Sequence, residues 1–161
     1  MFPNYFRIKE NSTGVRLQIW IRDSSVGYPK GKTGLVYNTA SLVAYFIRDG
    51  QTAATAITLA TATVGTYTAG GFKEVSSTNM PGLYEFGLPA GVTLSGADRA
   101  TVMFKGAAGM ADTPVYIQIL PYTEEDIYNR TDEAYLAAST VNRLEDALRR
   151  LTVALGSKKR D

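Results

Sequence analysis

The sequence predicts a mainly β protein: an antiparallel β-sandwich, immunoglobulin-like or jelly-roll-like, of about seven strands, with a C-terminal α-helical extension. Three observations carry this. Short apolar runs with a period of two recur between Gly, Pro, Asn and Asp turn signals at roughly the 8–12-residue spacing of a sandwich or barrel. Ten Tyr and fifteen Gly among 161 residues favour strands and tight turns. After Pro121 the apolar period becomes that of a helix. No helical pattern separates the strands, so the crossovers that a parallel α/β sheet needs are missing.

Residues 1–13 read as an N-terminal arm with Phe2, Tyr5 and Phe6 as its contacts. Met1 to Phe6 is apolar but lacks the charged start and continuous apolar core of a signal peptide. The arm either inserts into an adjacent subunit or tucks onto its own domain.

The sandwich domain spans 14–120. Val15, Leu17, Ile19 and Ile21 alternate with Arg16, Gln18, Trp20 and Arg22, a strand with one buried face. Trp20, on the other face, is a candidate aromatic contact, its indole combining a large apolar body with one polar handle. The segment GYPKGKTG, Gly27 to Gly34, then reads as a mobile glycine linker. Leu42 to Arg48 is apolar at successive positions and closes on Asp49-Gly50, which predicts a central strand buried on both faces. Ile57 to Leu59 is a short strand, and Thr66 to Phe72 a hairpin or bulge whose pairing continues to Val75. Pro81-Gly82 reads as a turn directly ahead of the strand Leu83 to Phe86. Ala100 to Lys105 and Val115 to Leu120 supply the last two strands.

Residues 121–161 form the C-terminal helical segment. Thr123-Glu124-Glu125-Asp126 has the character of a helix start, with carboxylates in the first turn. Ala134, Ala137, Val141, Leu144, Leu148, Leu151 and Leu155 are then spaced alternately by three and four. This is a heptad seam with Val141, Leu148 and Leu155 at a, and Leu144 and Leu151 at d. So narrow a stripe, flanked by charged residues, predicts pairing with a copy of itself or another protein; docking on the sandwich is the alternative.

The chain contains neither Cys nor His, which removes thiolate ligands, the commonest metal ligand and the usual general base. GKT fails as a phosphate loop: Val26 stands where the pattern needs Gly, and a strand rather than a helix follows. The acids Asp23, Asp49, Glu74, Glu85, Asp98 and Asp112 fall beside turns or on solvated surface, and Asp98 and Asp112 lack the dense spacing of a calcium loop. The expectation is therefore a protein that is not an enzyme, with no cofactor and no metal. A net charge of +2, with positive residues clustered only at Lys158-Lys159-Arg160, argues against nucleic acid as partner. Strand-sized apolar runs argue against membrane insertion. Trp20, Tyr28, Tyr37, Tyr45, Tyr67 and Tyr84 remain as aromatics for the core, an interface or a ligand.

The run GKTGLVYNTASLVAYFIRDG, then ITLATAT, GGFKEVSSTNMPGLYEFGLPAG, ATVMFKGA and VYIQI, resembles small β-sandwich modules of virion proteins from tailed bacteriophages and prophages. The similarity covers about Gly14 to Leu120. It implies a non-enzymatic structural component of a virion, head-associated or in the neck, tail, fibre or baseplate. Such a protein would be assembled in the host cytoplasm, partnered by other virion proteins and forming a homo-oligomer. It implies no catalytic residues. The alternative function is a carbohydrate-binding module of a receptor-binding or surface protein, with Trp20 and exposed tyrosines stacking on sugar.

Overall fold

The computed structural model describes residues 4–122, 140–141 and 143–150. The chain divides into two units, Met1–Pro121 and Tyr122–Asp161.

The first unit is a two-sheet sandwich of eight strands among the described residues: β1 (Asn4–Lys9), β2 (Arg16–Trp20), β3 (Val43–Arg48), β4 (Thr55–Ile57), β5 (Phe72–Ser76), β6 (Met80–Gly87), β7 (Arg99–Lys105) and β8 (Thr113–Leu120). One sheet has the order β1-β8-β7-β3-β4 and the other β2-β6-β5. With β2 to β8 lettered B, C, C′, D, E, F and G, the sheets are G-F-C with C′ added and B-E-D, so the immunoglobulin-like arrangement is the one adopted. All pairings between these strands are antiparallel except that of β1 with β8.

That exception corrects the reading of residues 1–13 as an arm. Asn4 to Lys9 pairs residue for residue with Val115 to Leu120. Phe6 and Ile8 face the core while Tyr5, Arg7 and Lys9 point outward, a period-two strand pattern. Of the two outcomes for this segment, the strand tucks onto its own domain. Phe2 lies outside the described residues.

The core draws on alternate positions of both sheets: Leu17 and Ile19 from β2, Val102 and Phe104 from β7, Val115 and Ile117 from β8. At its centre is an aromatic stack across the sheets. Phe72 and Tyr84 lie parallel with centroids 4.8 Å apart, Phe72 meets Phe104 at 5.7 Å, and Phe86 meets Phe104 edge-on at 4.9 Å. Such pairs each contribute about 0.5–1.5 kcal/mol beyond the area they bury.

Three local readings change. Pro81 and Gly82 lie inside β6, and the turn is at residues 77–79, where the Asn79 amide donates to Ser76 Oγ at 3.1 Å. The β5–β6 register slips between Glu74 and Ser76, so Pro81 sits at an irregularity where its missing N–H costs no ladder bond. The segment before Gly71 forms turns rather than a hairpin, and β4 ends at Ile57 rather than spanning Ile57 to Leu59.

Candidate functional site

The two glycine-bearing motifs meet at one end of the sandwich. The Tyr84 hydroxyl donates to the Lys32 carbonyl at 2.7 Å and accepts the Leu35 amide at 3.1 Å. Glu74 accepts the Gly34 amide through Oε2 at 2.8 Å and the Gly82 amide through Oε1 at 3.4 Å. The Lys32 amide reaches the Ile21 carbonyl at 2.8 Å, and Arg22 bridges to Gly31. Gly31 and Gly82 pack back to back: a Cβ on Gly31 would sit 2.0 Å from the Pro81 oxygen, and one on Gly82 2.4 Å from the Gly31 Cα. The segment read as a mobile linker is thus anchored along its second half. Its glycines serve close packing of backbone, and no phosphate-sized space lies between them.

Burial pushes the Tyr84 hydroxyl up to about 12, with the Glu74 carboxylate adding to the rise and the Leu35 amide opposing it. Two acids leave the surface reading. Glu74 ties the motifs together as described. Glu85 is buried between the Arg16 guanidinium, at 3.0 Å, and the Gly65 amide, at 2.9 Å. Replacing it with Ala would remove a charged hydrogen-bond acceptor from two partners that water can still reach, so Glu85→Ala should lower the urea-unfolding free energy by about 1–2 kcal/mol. Asp23 does serve a turn: the Ser25 hydroxyl and amide hold its carboxyl below the usual range.

The surface that invites a partner is the outer face of the five-stranded sheet. Here β3 departs from expectation, because only one of its apolar faces is buried. Ala44 faces the core, whereas Val43 and Ile47 are 37% and 38% exposed. Between them Tyr45 lies half-buried beside Met103, its partner on β7, with Lys105 Nζ 5.6 Å from the ring centroid. A strand apolar on both faces but covered on one leaves an apolar half-sheet open to a neighbour.

The other half of this face is aromatic and cationic. Tyr5 on β1 and Tyr116 on β8 are register partners, 54% and 42% exposed. One step along the strands, Arg7, Gln118 and Arg99 form the next row. Gln118 Oε1 accepts from the Tyr5 hydroxyl at 2.6 Å and from Arg7 Nε at 3.1 Å, while Arg99 Nε donates to Asp49 at 3.1 Å. A shallow groove of about 500 Å³ runs along this half.

Of the residues picked from sequence, Trp20 is half-buried and already engaged. Its indole N–H donates to the Pro81 carbonyl at 3.3 Å, and its backbone N–H and C=O are bracketed by the Asn4 side chain. Tyr84 is in the core, Tyr67 donates to the Leu88 carbonyl, and Tyr28 and Tyr37 are exposed on the β2–β3 connection. In the second unit, residues 140–141 and 143–150 are helical, and Val141, Leu144 and Leu148 are 54–63% exposed on the predicted stripe. Leu151, Leu155 and the helix start at Thr123 lie outside the described residues. Sequence reasoning missed Val43, Ile47, Tyr116, Arg99 and Gln118. The signal for the first two was present in the double-faced apolarity of β3.

Neither a protein-family model nor a curated protein matches this chain. Among the described residues no three acidic side chains cluster to hold a metal, and no helix is long and apolar enough to cross a membrane.

Proposed function

We propose that this chain is a non-enzymatic structural component of a tailed-bacteriophage virion. It self-associates through the C-terminal stripe and docks on neighbouring virion subunits through the β3 side of its larger sheet. The observation that carries this reading is the pair of exposed apolar surfaces, Val141–Leu144–Leu148 on the helix and Val43–Ile47 on the sheet. Surfaces of this kind are costly to leave in water and mark contacts with other proteins. The virion assignment rests on the motif resemblance. Its two most characteristic segments, GKTGL and NMPGLY, are each other's packing partners, which gives their joint occurrence a structural reason.

Three heptads are marginal on their own, so the β-module must share in holding copies together. Light scattering on the full chain should report a mass at a multiple of 17.5 kDa, and Leu144→Asp with Leu148→Asp should return it to the single-chain value. A monomer before and after the substitutions would overturn self-association. Val43→Ser with Ile47→Ser should leave that mass unchanged while lowering incorporation into purified virions; undiminished incorporation would remove the sheet from the docking surface.

A further inference from the structure

We propose that the groove between Tyr5, Tyr116 and Arg99 is a binding site for a sugar that carries a carboxylate, a uronic or sialic acid unit of an acidic glycan. It lies on β1, β7 and β8, on the same sheet face as Val43 and Ile47 but lined by other residues, and does not depend on the assembly reading.

The chemistry of the groove floor is set by Gln118. The Tyr5 hydroxyl and Arg7 Nε both aim at the same side-chain atom, which therefore is the amide oxygen. The amide nitrogen is then turned away from both, with two N–H groups to donate. Arg99 spends Nε on Asp49, which leaves its two terminal nitrogens to donate as well, on a side chain that is 76% exposed. A row of fixed donors calls for a ligand rich in acceptors, and a guanidinium fork matches a carboxylate in particular. Asp98, at the end of the groove, offers an acceptor for a hydroxyl.

The tyrosines supply the second half of the argument. Tyr5 and Tyr116 stand at paired register positions, each about half exposed, and offer apolar ring surface to the C–H face of a pyranose. The groove volume, about 500 Å³, falls in the range of small-ligand clefts, roughly 300–1,000 Å³. An extended acidic peptide fits less well. Peptides bind sheets by adding to an edge, where backbone groups are open. Here β8 is paired on both sides by β1 and β7, and β7 by β8 and β3, so a ligand lying on these strands, rather than along the open edge of β1, must be recognised by side chains.

The test is an array of uronic- and sialic-acid-terminated glycans probed with the full chain, followed by calorimetric titration of the best of them and of its methyl ester. The acid should bind, and the ester at least about tenfold more weakly, since one charge-assisted contact is removed. Gln118→Glu retains an acceptor for Tyr5 and Arg7 but replaces the donor by a second carboxylate oxygen; it should abolish acid binding with no loss of thermal stability. Tyr116→Ala should weaken it at least about tenfold. No signal on any carboxylated glycan, equal binding of acid and ester, insensitivity to Gln118→Glu, or preferential binding of a poly-glutamate peptide would each overturn the proposal.

Discussion

Gly82→Ala should destabilise the sandwich by about 3–5 kcal/mol, more than any surface substitution, although it adds a single methyl group. Two penalties coincide. Gly82 has φ +80°, where an L side chain meets its own carbonyl, and the new Cβ would lie 2.4 Å from the Gly31 Cα and 2.8 Å from the Ile21 oxygen. Neither neighbour is a flexible side-chain end; both are backbone held by the bonds of Ile21 to Gly82 and of Lys32 to Ile21. Gly31→Ala meets the same seam from the other side, with Pro81 O at 2.0 Å. Once either methyl has forced the seam apart, the second should cost less, so the double variant should be less destabilised than the sum. Gly34→Ala separates the two penalties: its φ is +79° but nothing lies within 4 Å, so it should lose only about 1–2 kcal/mol. Chemical denaturation of all four variants checks this. Equal losses at Gly34 and Gly82 would mean that the seam opens freely and that backbone conformation alone selects glycine.

The same seam shows why part of the molecule was legible in the sequence and part was not. Strands β2, β7 and β8 announce themselves because one face is buried and the other wet, and a period of two follows directly. β1 carries the same alternation in Phe6 and Ile8 against Arg7 and Lys9, but its position ahead of Gly14 and beside Pro3 made it look detachable. Its partner strand is more than a hundred residues away, and nothing local indicates a parallel pairing over that distance. The glycine motifs misled for a related reason. A glycine needed for a turn and one needed because two backbones touch are written with the same letter, and only the fold tells them apart.

The candidate surfaces follow the same logic. The stripe at Val141, Leu144 and Leu148 was visible because periodicity alone defines it. The outer sheet face was not, because exposure depends on what covers a strand. Apolar residues on both faces of β3 predicted burial, yet the second face is open, and this conflict between pattern and exposure is what supports the proposed docking surface. The Arg7, Gln118 and Arg99 row could not have been read at all. It is assembled by register between the consecutive strands β7 and β8 and the strand β1, which is far from both in sequence.

Tyr84 ties this structural account to a measurable pH dependence. Its hydroxyl is the only partner shown for both the Leu35 amide and the Lys32 carbonyl, and the ring is fully buried against Phe72. Ionisation would take the proton from the bond to Lys32 and place a charge in the core beside Glu74. A tyrosine in the unfolded chain titrates near 10, whereas this one is pushed up to about 12. The folded state therefore holds its proton more tightly, and the resulting stability is complete below pH 10 and lost as pH rises toward 12. The shift corresponds to roughly 2–3 kcal/mol. Tyr84→Phe should cost about 1–3 kcal/mol at pH 7 by leaving two backbone groups without a partner. It should also flatten the alkaline limb, so that wild type and variant converge as pH rises from 10 to 12. Urea unfolding at intervals across that range, with the ten tyrosines followed by their ultraviolet titration, checks both claims. The late ionisation of Tyr84 should be seen in the wild type and be missing from the variant. Stability curves that stay parallel up to pH 12 would show that the Tyr84 hydroxyl titrates like an exposed phenol. The clamp it places on the GKTGL segment would then not survive in solution.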